Sequence, residues 1–70
     1  MRLTQKRTET EGGFAYYELT FDFGPNRVAK RYVSEEMWRA RFSDARSPWV
    51  IWHAVKGDEF AKPPLQGRLL

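Results

Sequence analysis

Phe14-Ala15-Tyr16-Tyr17-Glu18-Leu19-Thr20-Phe21-Asp22-Phe23 is the stretch that decides the fold. From Ala15 onward, every second residue is apolar: Ala15, Tyr17, Leu19, Phe21 and Phe23. Phe14, Tyr16, Glu18, Thr20 and Asp22 fall between them. Successive strand side chains point to opposite faces, so this period of two predicts a strand with one face in a core. Gly24, Pro25 and Asn26 then break it with strong turn chemistry.

Arg27 to Val33 is expected to return antiparallel. A loop of two or four residues pairs Phe23 with Val28 and Leu19 with Tyr32. Arg31 then falls opposite Thr20 on the outer face, diagonal to Glu18 and Asp22, where opposite charge is favourable. A three-residue loop puts Arg27 and Arg31 on the core side instead; the even loop is the preferred reading. On the N-terminal side, Glu11, Gly12 and Gly13 make a turn, since glycine tolerates the positive φ of tight turns. Residues 2–9 before it read as an edge strand, where Lys6 and Arg7 discourage edge-to-edge pairing.

Ser34 is a good helix N-cap, and Glu35 and Glu36 sit in the first turn, where the helix dipole favours negative charge. At helical spacing Met37, Trp38, Arg41, Phe42 and Ala45 share one arc, which predicts an amphipathic helix of about three turns. Glu35 and Arg39 are spaced to pair at i,i+4. Pro48 ends the helical stretch. Trp49 to Val55 is nearly all apolar and rich in β-branched and aromatic residues, which predicts a further strand covered on both faces. Lys56, Gly57 and Asp58 turn the chain, and Phe60 is expected to tuck back onto the core.

The resulting fold is α+β: a small antiparallel sheet of about four strands, in sequence order β-β-β-α-β, with one amphipathic helix packed on one face. A barrel of SH3-like type with a helical insertion is the alternative. Residues 1–62 form one domain and residues 63–70 an extended tail.

The chain has 70 residues, no cysteine and a formal net charge of +3. That length allows a single small core. Without thiolates and with one histidine, His53, neither a disulfide framework nor a four-ligand zinc site is available, and no metal or cofactor is expected. Apolar residues make up 41% and charged residues 30%, the composition of a globular chain. The basic N-terminal residues lead into no apolar core of a secretory signal, and no apolar run is long enough to span a bilayer. A soluble, cytoplasmic protein with no membrane partner is the expectation.

No catalytic constellation emerges. A catalytic histidine needs a nucleophile or substrate proton within reach and usually an orienting carboxylate. His53 lies in an apolar run without such neighbours, so a structural histidine is expected. Asp58 and Glu59 read as a solvated turn, because they lack further oxygen ligands at metal-binding spacing. The chain is therefore read as no enzyme.

Aromatic residues reach 16%, with three Trp, three Tyr and five Phe. That supply exceeds what a small core holds, so two or three rings are expected at the surface, with Phe14, Tyr16, Trp49 and Trp52 the candidates; the alternative is that the Trp residues fill a two-sided core. The bases concentrate in residues 27–46. The candidate partner-binding residues are Tyr16, Arg27, Lys30, Arg31, Arg39, Arg41, Arg46, Trp49 and Trp52. Trp, Tyr and Arg are the usual anchors of protein interfaces. The first expectation is therefore a small protein that docks on a larger protein or complex as inhibitor or regulator. A phage or mobile-element accessory role is a base-rate extension of it, and a homodimer its nearest variant. The second is a nucleic-acid-binding module, in which cations follow phosphates and rings stack bases.

Overall fold

In the computed structural model, which describes residues 1–64, three strands form one antiparallel sheet in the order β1-β2-β3. They are β1 (Arg2–Glu9), β2 (Ala15–Gly24) and β3 (Arg27–Ser34). Helix α1 (Glu35–Met37) runs directly into a wider π-helical turn, Trp38–Phe42. Helix α2 (Pro48–Val55) follows, and a 3-10 turn, Asp58–Phe60, closes the described chain. Residues 65–70 of the expected tail lie outside the described residues.

The alternation in β2 does what it implies. Leu19, Phe21 and Val33 of the sheet are buried against Phe42, Ile51 and Val55 of the helices. Leu19, Phe21 and Val55 are fully covered, each contributing roughly 1.5–3 kcal/mol of transfer free energy. Tyr16, Glu18, Thr20 and Asp22 occupy the other face, over which no helix packs among the described residues.

The β1–β2 turn is a three-residue loop. Gly13 N–H donates to the Thr10 carbonyl at 3.0 Å, and Thr10 N–H to the Phe14 carbonyl at 2.8 Å. Gly13 has φ +88°, the left-handed residue that such a loop requires.

The β2–β3 hairpin departs from the expected register. The loop is indeed two residues, Pro25 and Asn26, between the pair Gly24 and Arg27. Phe23, however, is an extra residue bulged from the ladder, and beyond it the register shifts by one. Leu19 therefore faces Arg31, and Thr20 faces Lys30. Arg27 and Arg31 thus lie on the helix side and not on the outer face. The cause is local. Proline fixes a negative φ at the first loop position, so a hairpin turn with positive φ there is closed to this sequence. The positive φ falls instead on Asn26, at +62°, a pattern that splays the strands unless a bulge compensates. Asp22 holds the bulge by accepting the Gly24 N–H on Oδ1 at 3.0 Å, with Gly24 at φ +133°.

Ser34 caps α1 as expected, its Oγ accepting the Met37 N–H at 3.1 Å. The helix is shorter than three turns because the π-helical turn ends it at Phe42. Closing i to i+5 brings Phe42 beneath Met37, so Phe42 takes the core position and Arg41 is exposed, outside the apolar arc expected for it.

The second correction concerns Trp49–Val55, which is helix and not a fourth strand. Ser47 is extended and its Oγ accepts the Trp49 N–H at 3.2 Å, while Pro48 occupies the first helical turn. Proline there sacrifices no hydrogen bond and has its φ preset for a helix. Ile51 and Val55, four apart, supply the buried stripe. A seven-residue apolar run has no period that separates a buried strand from a buried helix; the Ser-Pro start decides it.

Candidate functional site

The bulge and α2 together build an aromatic corner at the β3 edge. Phe21, Trp52, Phe23 and Trp49 form a continuous chain of rings, with centroid distances of 5.0, 4.9 and 5.9 Å in that order. Trp49 ends the chain and is 48% exposed. His53, one turn on, lies 6.3 Å from the Trp49 ring and is exposed on the helix, whereas the sequence predicts a structural histidine within a strand.

Two arginines lie on this aromatic surface. The Arg27 guanidinium sits 5.1 Å from the Phe23 centroid, and that of Arg31 5.1 Å from the Trp52 centroid. Arg31 also donates to the Lys30 carbonyl at 2.8 Å and to the Lys56 carbonyl at 2.9 Å, just past the end of α2. Its Nε is buried without a hydrogen-bond partner among the described residues. No carboxylate pairs with either arginine among the described residues. A shallow groove of about 320 Å³ opens beside them, lined by Phe23, Asn26, Arg27, Val28 and Trp52. Val28 is 59% exposed at its rim.

Arg27, Arg31, Trp49 and Trp52, four of the expected binding residues, thus meet at one corner. The others are elsewhere. Tyr16 lies on the open sheet face between Phe14 and Tyr32, with centroids 6.4 and 6.2 Å away. Lys30 shares that face and pairs with Glu18 Oε2 at 3.4 Å. The Tyr32 hydroxyl donates to the same oxygen at 3.2 Å, and burial followed by the Glu18 charge raises its pKa above the ordinary tyrosine value. Arg39 turns to Glu35, with its Nη2 3.4 Å from Oε2. Arg41 is exposed on the π-helical turn, and Arg46 lines a second groove on the opposite side of the molecule. Sequence reasoning missed Phe23 and Val28 as members of the corner. The signal was the Asp22-x-Gly24 spacing, which favours the side-chain-to-backbone bond that sets the bulge.

Chemically, the corner offers apolar area, an indole N–H and two cations. Among the described residues, no group of three or more His, Asp or Glu is placed to hold a metal ion, and no helix is long and apolar enough to cross a membrane. Against protein-family models, curated proteins and solved structures alike, the chain finds no match.

Proposed function

We propose that the protein is a non-enzymatic docking module that binds a larger protein, as inhibitor or regulator, through the Phe23–Arg27–Trp49–Trp52 corner. The observation that carries this reading is Trp49. A ring nearly half exposed at the end of a packed aromatic chain is an interface anchor with its conformational freedom already restricted. Its neighbours favour a protein over a nucleic acid. Arg27 and Arg31 lie over Phe23 and Trp52, so their own guanidinium groups occupy ring faces that bases would need for stacking. The exposed aliphatic Val28 at the groove rim suits an apolar side chain.

The test is paired affinity capture from an extract of the source cells, with wild type and Trp49→Ala as baits. A partner held by wild type and weakened at least ~30-fold by Trp49→Ala is expected, as for an interface hot spot. Equal capture by both baits removes the corner from the interface. Binding of mixed oligonucleotides at ~50 mM salt that weakens steeply toward ~200 mM replaces the reading with the nucleic-acid one. A sedimentation mass of two chains that falls to one in Trp49→Ala makes the partner a second copy.

A further inference from the structure

The opposite edge of the sheet carries a different kind of site. β1 pairs with β2 only, so the backbone donors and acceptors along its outer side have no strand partner among the described residues. Beside that edge, on the helix side, lies a groove of about 370 Å³. Leu3 and Gln5 of β1 form one wall; Trp38, Phe42 and Ile51 supply apolar surface opposite, and Ser43, Arg46 and Ser47 add polar groups to the lining. Phe42 and Ile51 are each only 5% exposed, so the groove lies directly over the core. Its volume lies at the lower end of the ~300–1,000 Å³ of ligand pockets, enough for one or two apolar side chains. An open strand edge beside a groove that is part apolar and part polar is an arrangement in which a sheet can gain a strand: the backbone supplies hydrogen bonds and alternate side chains enter the groove.

Charge selects the occupant. β1 contains Arg2, Lys6 and Arg7 against Glu9, a balance of +3 − 1 = +2. Arg7 is committed to Glu35 and Glu9 at 3.1 and 3.5 Å. Arg2 and Lys6 have no carboxylate partner among the described residues. Lys6 stands opposite Glu18 on β2, but Glu18 is engaged by Lys30 and the Tyr32 hydroxyl. Arg2 stands opposite Asp22, which caps the bulge. Two β1 strands from separate copies would bring three bases each into one ladder, and like charges across a ladder repel. An acidic strand meets Arg2 and Lys6 with opposite charge on the open face while its apolar residues face the groove.

We propose that β1 takes up, as a fourth strand, an extended acidic segment of a partner protein in which apolar and acidic residues alternate. This site is separate from the Trp49 corner and stands without it.

The test is an NMR titration of the uniformly 15N-labelled full chain with three capped peptides of about ten residues, the length of a strand. One alternates Val with Glu, one alternates Val with Lys, and one has the Val/Glu composition in scrambled order. The Val/Glu peptide is expected to move the amide signals of residues 2–9 together with Phe42, Ala45 and Ile51. It is also expected to slow hydrogen exchange of alternate β1 amides at least ~10-fold. The Val/Lys and scrambled peptides bind at least ~10-fold more weakly, and Lys6→Glu moves the preference toward Val/Lys. Trp49→Ala binds the Val/Glu peptide as wild type does, so failure of the corner reading leaves this result untouched. The proposal is overturned if ~1 mM Val/Glu peptide leaves β1 unmoved, which sets the affinity weaker than millimolar. It is equally overturned if all three peptides bind alike, if the shifts fall at Trp49 and Trp52, or if the free protein sediments as a dimer with β1 already protected.

Discussion

At the β3 edge, Arg31 reaches from the sheet to the Lys56 carbonyl and lies over Trp52, so strand and helix α2 are joined by both a hydrogen bond and a cation–ring contact. At the β1 edge, the strand-to-helix link is the Arg7–Glu35 pair at one end, and at the other a groove separates Leu3 and Gln5 from α2. The two edges belong to one sheet and use the same residue type, arginine, as the tie. The difference lies in solvent. The Arg31 Nε is buried and the residue packs on an indole, whereas the Arg7 side chain is 46% exposed. Although its hydrogen bonds lie at the surface, a tie partly sheltered by packing holds an element in place more firmly than one bathed in water, which mainly sets direction and selectivity. Both outer strands pair with β2 alone; the β3 edge presents a fixed surface, the aromatic corner, while the β1 edge stays open along its groove.

The largest break in this comparison comes from the residue both edges share. Phe21 pairs with Leu3 of β1 and Ala29 of β3, packs on Trp52 and is fully buried. Phe21→Ala is expected to cost about 3–5 kcal/mol. A chain this size has roughly 4–10 kcal/mol in total, so the variant should lose from about a third to all of it, seen as a melt by circular dichroism that falls steeply or disappears. A cooperative melt close to that of wild type would mean that the two edges are held independently of the central strand.

Arg31 is next. Arg31→Ala removes two hydrogen bonds from a charged donor and one cation–ring contact, and it leaves the Lys56 carbonyl to solvent. Since those bonds lie at the surface, the expected loss is about 1–2 kcal/mol in urea denaturation. Arg7→Ala is expected to cost less. Equal effects from the two would erase the distinction between a tie sheltered from water and one exposed to it.

The same comparison explains what was legible in the sequence. The alternation of Ala15 through Phe23 is enforced by burial of one face, so strand, face and core residues Leu19 and Phe21 follow from it. Ser34 and the two acids after it announce α1 because capping is a local bond. The β3 edge resisted reading for two reasons. A single bond from Asp22 to Gly24 shifts the register by one residue, and that shift moves Arg27 and Arg31 from one face to the other. Trp49–Val55 has no polar face, so its composition suits a strand, and only the Ser47–Pro48 start marks it as helix. The corner was legible as a list of residue types and not as a place, since its assembly depends on both corrections.

The smallest expected effect is electrostatic and belongs to the open edge. The hydrogen bond from Arg7 holds the Glu35 carboxyl below its ordinary range, with the charges of Arg7 and Arg39 acting in the same direction and desolvation opposing them. A carboxyl whose folded pKa is depressed stabilises the fold above its unfolded pKa, and that contribution is lost as pH falls through the folded value. Wild type should therefore exceed Glu35→Gln in melting temperature at neutral pH, with the gap narrowing below about pH 4.5, the ordinary value for this group. The gap should also shrink in ~1 M salt, where the screening length falls to about 3 Å. A gap that stays constant down to strong acid assigns the effect to shape rather than charge. Glu35 also stands in the first turn of α1, where the helix dipole alone favours a carboxylate. Repeating the comparison in an Arg7→Met background separates the two causes. If the pH-dependent gap persists there in full, the helix end is responsible; if most of it disappears, Arg7 and Glu35 join strand to helix.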